Sequence, residues 1–136
     1  MEEAKELIDN NIKSCIVIKN EKIIHSVDGT GIKPLLNIYM ENKQDLENSF
    51  VADKLIGKAA AMILICGKVK NVYGTKISKS AIELLTKNNI EYEYNELIEK
   101  VYNKDKTDLC PMEKTVLKID NPEDGVNAIL KFLNLV

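Results

Sequence analysis

Apolar residues recur along this chain at two spacings, every three or four residues in some segments and every second residue in others. The first spacing is typical of a helix with one buried face, and the second of a half-buried strand. The segments predicted as helices are residues 2–10, a segment that begins near Pro34, residues 51–66, residues 78–89, a short segment from Pro111, and residues 122–133. The segments predicted as strands are residues 14–19, 22–27, 69–77 and 90–94.

The first two strands are rich in β-branched residues, and only residues 20–21 separate them, which predicts a tight hairpin. A two-residue loop at this point pairs Ile16 with His25 and Ile18 with Ile23. Both faces of such a hairpin carry apolar side chains. We therefore expect it to be covered on both sides, as in a layered α/β protein.

The later part of the chain alternates between helix and strand. The strand 69–77, the helix 78–89 and the strand 90–94 have the length of a right-handed parallel crossover unit. Ser80 and Glu83 have the spacing of a capping box at the start of this helix. We predict an α/β fold, a three-layer α/β/α sandwich that has a mixed sheet and an N-terminal β-hairpin. We expect the whole chain, residues 1–136, to form a single domain.

Composition narrows the classes of function. The chain has 136 residues and a net charge of -2, which argues against a nucleic-acid binder that works by bulk electrostatics. The longest apolar run, residues 59–66, is far shorter than the roughly 20 residues of a membrane span. The charged, amphipathic start does not resemble a signal peptide. Three cysteines without a close pair favour reduced thiols, so we expect a cytoplasmic protein.

The order of the elements predicts where a ligand would bind. The helix 51–66 leads directly into the strand 69–77, so the start of the helix should lie near the carboxyl end of the strand. Ligands in open α/β sheets bind at that end, where helix N-termini offer free N–H groups. The ligand-binding candidates that should meet there are Asp28, Gly29, Gly31, Lys33, Lys54, Lys58, Ser78, Lys79, Ser80, Asp108 and Glu113. Asp53 is a catalytic candidate at the same place. Each of these residues also has an ordinary interpretation as a turn residue, a cap or a solvated charge.

Cys110 is the second catalytic candidate. Pro111 suits the first position of a helix, which makes Cys110 the N-cap and Glu113 the third residue. A thiol at a helix N-terminus can ionise more readily and act as a nucleophile. The sequence leaves open whether Cys110 only caps its helix or also contacts a ligand. The single histidine, His25, lies on a strand beside apolar neighbours, and we interpret it as structural.

Three segments, SVDGTGIKPLL, VADKLIGKAAA and LCPMEKTVL, resemble in this order an uncharacterised prokaryotic family. That family is a domain of unknown function with a cytidine-deaminase-like fold, and the resemblance extends over residues 14–133. It implies the three-layer architecture predicted above. It implies no known activity.

The resemblance raises the question of zinc. Zinc deaminases combine three metal ligands with a glutamate in a His-x-Glu and Pro-Cys-x-x-Cys pattern. Here VADK has no histidine or cysteine, SKSAIE lacks the cysteine pair, and CPME has the reverse order and a single thiol. By the resemblance, Asp53 stands near the acid/base position. The predicted hairpin register also turns Cys15 and His25 to opposite faces. We therefore expect neither a metal site nor a cofactor.

Three functions follow from these observations. The first is metal-independent binding of a small molecule, for example a nucleotide-like compound. The second is an enzyme that uses Cys110 as nucleophile or redox thiol, with Asp53 or Glu113 as acid/base support. The third is a regulatory or oligomerising module that forms a homo-oligomer through the strand 90–94, although the charges on that strand can equally discourage pairing.

Overall fold

The computed structural model describes residues 1–136 as a five-stranded mixed sheet with helices on both faces. The strands are β1 Cys15–Lys19, β2 Lys22–Val27, β3 Phe50–Ile56, β4 Asn71–Ser78 and β5 Glu91–Ile98. The helices are α1 Glu2–Asp9, α2 Lys33–Glu41, α3 Lys43–Leu46, α4 Lys58–Cys66, α5 Lys79–Lys87, α6 Pro111–Val116 and α7 Pro122–Phe132. None of these helices combines the length and the apolar character that a membrane crossing requires.

The strand order β2-β1-β3-β4-β5 joins an antiparallel half to a parallel half. β1 runs antiparallel to β2 and to β3, whereas β3, β4 and β5 are mutually parallel. On one face, α1 packs its residue Ile8 against Ile16, Phe50 and Tyr73. On the other face, α4, α5 and α7 enclose the larger core. The predicted α/β class, with a mixed sheet and an N-terminal hairpin, is confirmed.

The hairpin forms where it was predicted, but its register differs from the prediction at one end. Ile18 pairs with Ile23 as expected. A β-bulge between Val17 and Ile18 then shifts the pairing by one residue, so that His25 lies opposite Val17 and not opposite Ile16. A bulge places two residues of one strand against one of its partner, which a count of residues from the turn does not anticipate.

The shifted register also changes the side of the sheet on which His25 lies. His25, Val17 and Cys15 share a face, so the prediction that Cys15 and His25 point to opposite faces was wrong. The Nε2 atom of His25 lies 2.8 Å from Oδ2 of Asp45 on α3. This contact joins the edge strand to the short helix beside it.

The helix predicted over residues 51–66 is wrong in its first half. Phe50–Ile56 is the central strand β3, and α4 begins only after Gly57. A central strand that is covered on both faces has few polar positions, so it lacks the alternation by which strands are recognised. Its apolar residues therefore resembled the first turns of the apolar helix that follows. Gly57, an extended N-cap residue, marks the true boundary.

The cap of α5 also differs from the prediction. Ser78, and not Ser80, is the N-cap residue, and its hydroxyl accepts a hydrogen bond from the N–H of Ala81 at 3.3 Å. The hydroxyl of Ser80 lies 3.2 Å from that of Ser78. Ser78 is fully buried, and its hydrogen bond with Ala81 stabilises the turn from β4 into α5.

A carboxylate joins α6 to the start of α4. The N–H of Lys58 donates to Oε1 of Glu113 at 3.0 Å, and the N–H of Ala59 donates to Oε2 at 2.8 Å. These donors have no partner within their own helix, and the positive end of the helix dipole favours a negative charge. Gly57 leaves the necessary room, because a Cβ there would lie 2.7 Å from Oε1.

Glu113→Ala should therefore lower the free energy of unfolding by about 1 to 3 kcal/mol, because it leaves the buried N–H of Ala59 and the half-buried N–H of Lys58 without an acceptor. Glu113→Gln retains one acceptor oxygen and should lose less. Urea unfolding followed by circular dichroism measures both changes. Glu83→Ala is the matched control, since Glu83 is an exposed residue of α5. A loss at Glu113 no larger than the loss at Glu83 would contradict the capping role.

Candidate functional site

A cavity of about 440 Å³ opens at the edge of the sheet where β3 and β4 end and α4 begins. Because β3 and β4 are parallel and α4 runs back across them, their carboxyl ends and the start of α4 meet at this edge. The loop over residues 29–32 and the start of α6 complete the wall. The sequence candidates that line this cavity are Gly29, Gly31, Asp53, Lys54, Cys110 and Glu113.

Other candidates lie on the far side of Glu113, in a neighbouring cavity of about 290 Å³ lined by Lys58, Lys79 and Ser80. The ammonium group of Lys58 donates to the carbonyl of Leu117 at 3.1 Å, so it points away from the larger cavity. Glu113 lines both cavities and separates them.

The candidates that lie at the protein surface are Asp28, Lys33, Lys79 and Asp108. The ammonium group of Lys79 lies 2.6 Å from a carboxylate oxygen of Glu99. Asp28, Lys33 and Asp108 are exposed. Asp28 lies 3.6 Å from the ammonium group of Lys13, and Asp108 pairs with Lys114, which holds the pKa of the Asp108 carboxyl below its ordinary value.

Asp53 is a buried acid on the central strand of the sheet. Only 7% of its surface is exposed. Its Oδ1 accepts a hydrogen bond from the N–H of Lys54 at 2.8 Å, and no hydrogen bond within the chain uses Oδ2. Burial raises the pKa of the Asp53 carboxyl to about 7, against the opposing effects of the backbone N–H groups of Lys54 and Leu55 and of the Lys54 charge.

The neighbours of Asp53 in the sheet offer it no compensating charge. Cys15 lies directly opposite on β1, and Gly74 lies opposite on β4. Burial, with the charge of Asp53, raises the pKa of the Cys15 thiol well above its ordinary value. Cys15 is therefore a protonated core residue, and no cation within 4.0 Å pairs with Asp53.

Cys110 occupies the predicted N-cap position of α6, but its thiol forms no capping hydrogen bond. A small antiparallel bridge between Tyr102 and Leu109 closes the loop before it, and the N–H of Cys110 donates to the carbonyl of Val101 at 3.0 Å. These backbone contacts place the half-buried Cys110 on the wall of the cavity.

The glycine loop forms the opposite wall. Gly29 has a φ of 144°, and a Cβ at this position would lie 2.7 Å from Cγ of Pro34. The hydroxyl of the buried Ser14 donates to the carbonyl of Gly29 at 2.6 Å, which fixes the loop against the start of β1. Ser14 lines the cavity and was not identified from the sequence, because a serine that precedes a strand carries no distinctive signal.

A second group that sequence reasoning missed comes from α1 and β4. Asp9 accepts hydrogen bonds from the hydroxyls of Tyr73, at 2.7 and 2.8 Å, and of Thr75, at 2.6 Å. Burial and the contact with Asp9 raise the pKa of Tyr73, so its hydroxyl stays a donor. Asp9, Thr75 and Lys76 all line the cavity. Asp9 is 66 residues away from Thr75 along the chain, so no local pattern joins α1 to β4.

The side chains at this edge do not form a metal site. No group of three histidine, cysteine, aspartate or glutamate residues is close enough to hold a metal ion. A zinc centre of the deaminase kind would need such a group, together with the cysteine pair that the chain lacks. The donor set therefore does not fit zinc.

The stability of the protein should depend on pH through Asp53. Because burial raises the pKa of this carboxyl from 3.8 to about 7, the folded state binds its proton more tightly than the unfolded state does. The resulting stabilisation is complete below about pH 4 and is lost as the pH rises to 7. At about 1.4 kcal/mol per pKa unit, wild type should lose roughly 2 to 3 kcal/mol relative to Asp53→Asn between pH 5 and pH 8.

Urea titrations of both proteins at several pH values measure this difference, and the comparison cancels the titration of every other group. Asp105→Asn, which changes an exposed aspartate, serves as the control. A constant difference between wild type and Asp53→Asn across this range would contradict the shifted pKa.

Comparison with known proteins gives two matches at low similarity. The chain is 16% identical to Acinetobacter baumannii RibD, over 68% of this chain and 33% of that one, with a TM-score of 0.46. It is also 16% identical to the dCMP deaminase of cyanophage S-TIM5, over 71% of this chain and 92% of that one, with a TM-score of 0.47. At these scores the two structures say nothing about the chemistry of the cavity. No curated protein matches the chain.

Two other matches are much stronger. The family model described as TM1506, a domain of unknown function (DUF1893), matches residues 3–133. The crystal structure of a DUF1893 family protein (TM1506) from Thermotoga maritima is 30% identical to the chain, with a TM-score of 0.87. The alignment covers 96% of this chain and 88% of that one. The chain therefore belongs to the DUF1893 family of domains of unknown function.

Proposed function

We propose that this protein binds a small molecule, without a metal ion, in the cavity at the carboxyl ends of β3 and β4. The observation that carries the proposal is a cavity of about 440 Å³ that contains a buried carboxyl group with an oxygen unused by the protein. Ligand sites in proteins typically have volumes of about 300 to 1,000 Å³ and combine apolar walls with a few polar groups.

The composition of the wall supports a ligand that is partly apolar and partly charged. Ile32, Leu55, Val101 and Met112 provide apolar surface. Lys54 also lines the cavity and forms no ion pair within the chain. A nucleotide-like compound has the corresponding parts, since its flat base suits the apolar wall and its phosphate suits an unpaired lysine.

A screen of nucleotides and a broad metabolite library by thermal shift tests this function. At least one compound should raise the melting temperature, and excess EDTA should not reduce the effect. Lys54→Ala should weaken the binding of an anionic hit by at least about tenfold, since a hydrogen bond to a charged group contributes about 1.5 to 3 kcal/mol.

The matched control for this experiment is Lys118→Ala, because Lys118 is exposed and lies outside the cavity. It should leave the shift unchanged. If no compound in a broad library stabilises the wild-type protein, the proposed function is wrong.

A second candidate function is an enzyme that uses the thiol of Cys110, because only this one of the three cysteines lines the cavity. Cys15 is fully buried. Burial also raises the pKa of the Cys66 thiol. A nucleophilic role for Cys110 requires that reagents reach its sulfur from the cavity.

Alkylation of the native protein with iodoacetamide should therefore modify Cys110 first, then Cys66, and Cys15 only on unfolding. Peptide mass spectrometry over time measures the three rates. A compound found by thermal shift should slow the reaction at Cys110 and leave Cys66 unaffected, which makes Cys66 the internal control. Equal rates at Cys110 and Cys66 would exclude a reactive thiol in the cavity.

A further inference from the structure

We infer that the ligand of the cavity presents an N–H-donating head, an amine or an amidine, to the carboxyl group of Asp53. This inference rests on the proposed function, because it assigns the chemistry of the ligand within the same cavity. The atom on which it depends is Oδ2 of Asp53. Oδ1 of Asp53 is occupied by the N–H of Lys54, the N–H of Leu55 acts on the carboxyl group only enough to oppose the rise in its pKa, and no side chain of the protein donates to Oδ2.

The open oxygen is reached from the cavity. Every side-chain nitrogen or oxygen that is sealed from solvent has a hydrogen-bond partner. Oδ2 of Asp53 has none, so it retains contact with solvent although the residue is 7% exposed. Asp53 lines the cavity, and a ligand atom placed there can therefore replace water at this oxygen.

The charges of the wall favour a donor over an acceptor at this position. Asp53 and Glu113 both line the cavity, and neither has a cation within 4.0 Å. The oxygens of Glu113 already accept two backbone N–H groups, which leaves Asp53 as the acid without sufficient donors. An anionic head would leave the open oxygen of the ionised Asp53 without a donor, whereas an amine or amidine would satisfy it.

The surroundings of Asp53 make the preference depend on pH. The titratable groups around it are Cys15 on β1, Lys54 on β3, Cys110 and Glu113 at α6, and Asp9 and Lys76 on the remaining wall. β4 places Gly74 opposite Asp53, and α4 contributes Ala59 and Ala60. Within this set Asp53 has a carboxyl pKa of about 7, so its ionised fraction rises about tenfold between pH 6 and pH 8.

Benzamidine and benzoate are a matched pair of probes for this inference. They share a flat apolar ring that suits the cavity, and their heads are of similar size and opposite charge throughout this pH range. In titrations followed by ¹H–¹⁵N NMR, benzamidine should give saturable shifts at the amides of Lys54, Leu55 and Gly57. Its affinity should rise about tenfold from pH 6 to pH 8. Benzoate, which has no N–H to offer the ionised Asp53, should bind at least fivefold more weakly than benzamidine at pH 8.

Asp53→Asn should weaken benzamidine binding at least fivefold at pH 8 and remove its pH dependence, whereas Asp105→Asn should change neither. Binding of benzoate in preference to benzamidine would overturn the inference and leave the cavity as a ligand site. Failure of both probes would also overturn it, while the proposed function is judged separately by the metabolite screen. Benzamidine binding that is unchanged in Asp53→Asn would likewise overturn the assignment to Asp53.

Discussion

The carboxylate of Glu113 at the start of α4 is the contact on which the geometry of the site depends. α6 follows a long loop, and its Glu113 is separated by 55 residues from Lys58, whose N–H it accepts. This contact holds α6, with Cys110 and Met112, against the edge of the sheet where the strands end. Gly57 allows the carboxylate to approach the helix, because the Cβ of any larger residue there would collide with it. The stability of α4 and the shape of the cavity therefore have a common cause.

Much of the fold followed from local patterns, because hairpins and crossover units are encoded by neighbouring residues. The hairpin, α5 and β5 are of this kind. β3 was mistaken for helix because it is a central strand, and a central strand resembles a buried helix in its apolar content. Only Gly57 marks in the sequence the point at which β3 ends and α4 begins. The bulge in β2 could not be counted from the turn, since nothing in the local sequence distinguishes its extra residue, Ile24.

The candidate site was only partly predictable, for a related reason. Asp53 and Lys54 were expected at the start of a helix, and they lie in the middle of strand β3 instead. They nevertheless meet the start of α4, because a strand and the helix that follows it share that edge of a parallel sheet. Asp9 and Ser14 were missed, since their place on the wall depends on the packing of α1 and of the glycine loop. Such tertiary contacts have no periodic signature in the sequence.

The two acids of the cavity illustrate how the environment of a carboxyl group decides its role. Glu113 receives two backbone N–H groups at a helix N-terminus, so its charge is satisfied within the protein and it acts as a structural element. At Asp53 the effect of burial outweighs the help of the backbone N–H groups of Lys54 and Leu55, so its charge is poorly satisfied. A protein of marginal stability retains such a group at a cost, and under the proposed function a bound ligand would offset that cost by supplying the missing donor. The environment that makes an ionised Asp53 unfavourable for folding is thus the feature on which the proposed binding depends.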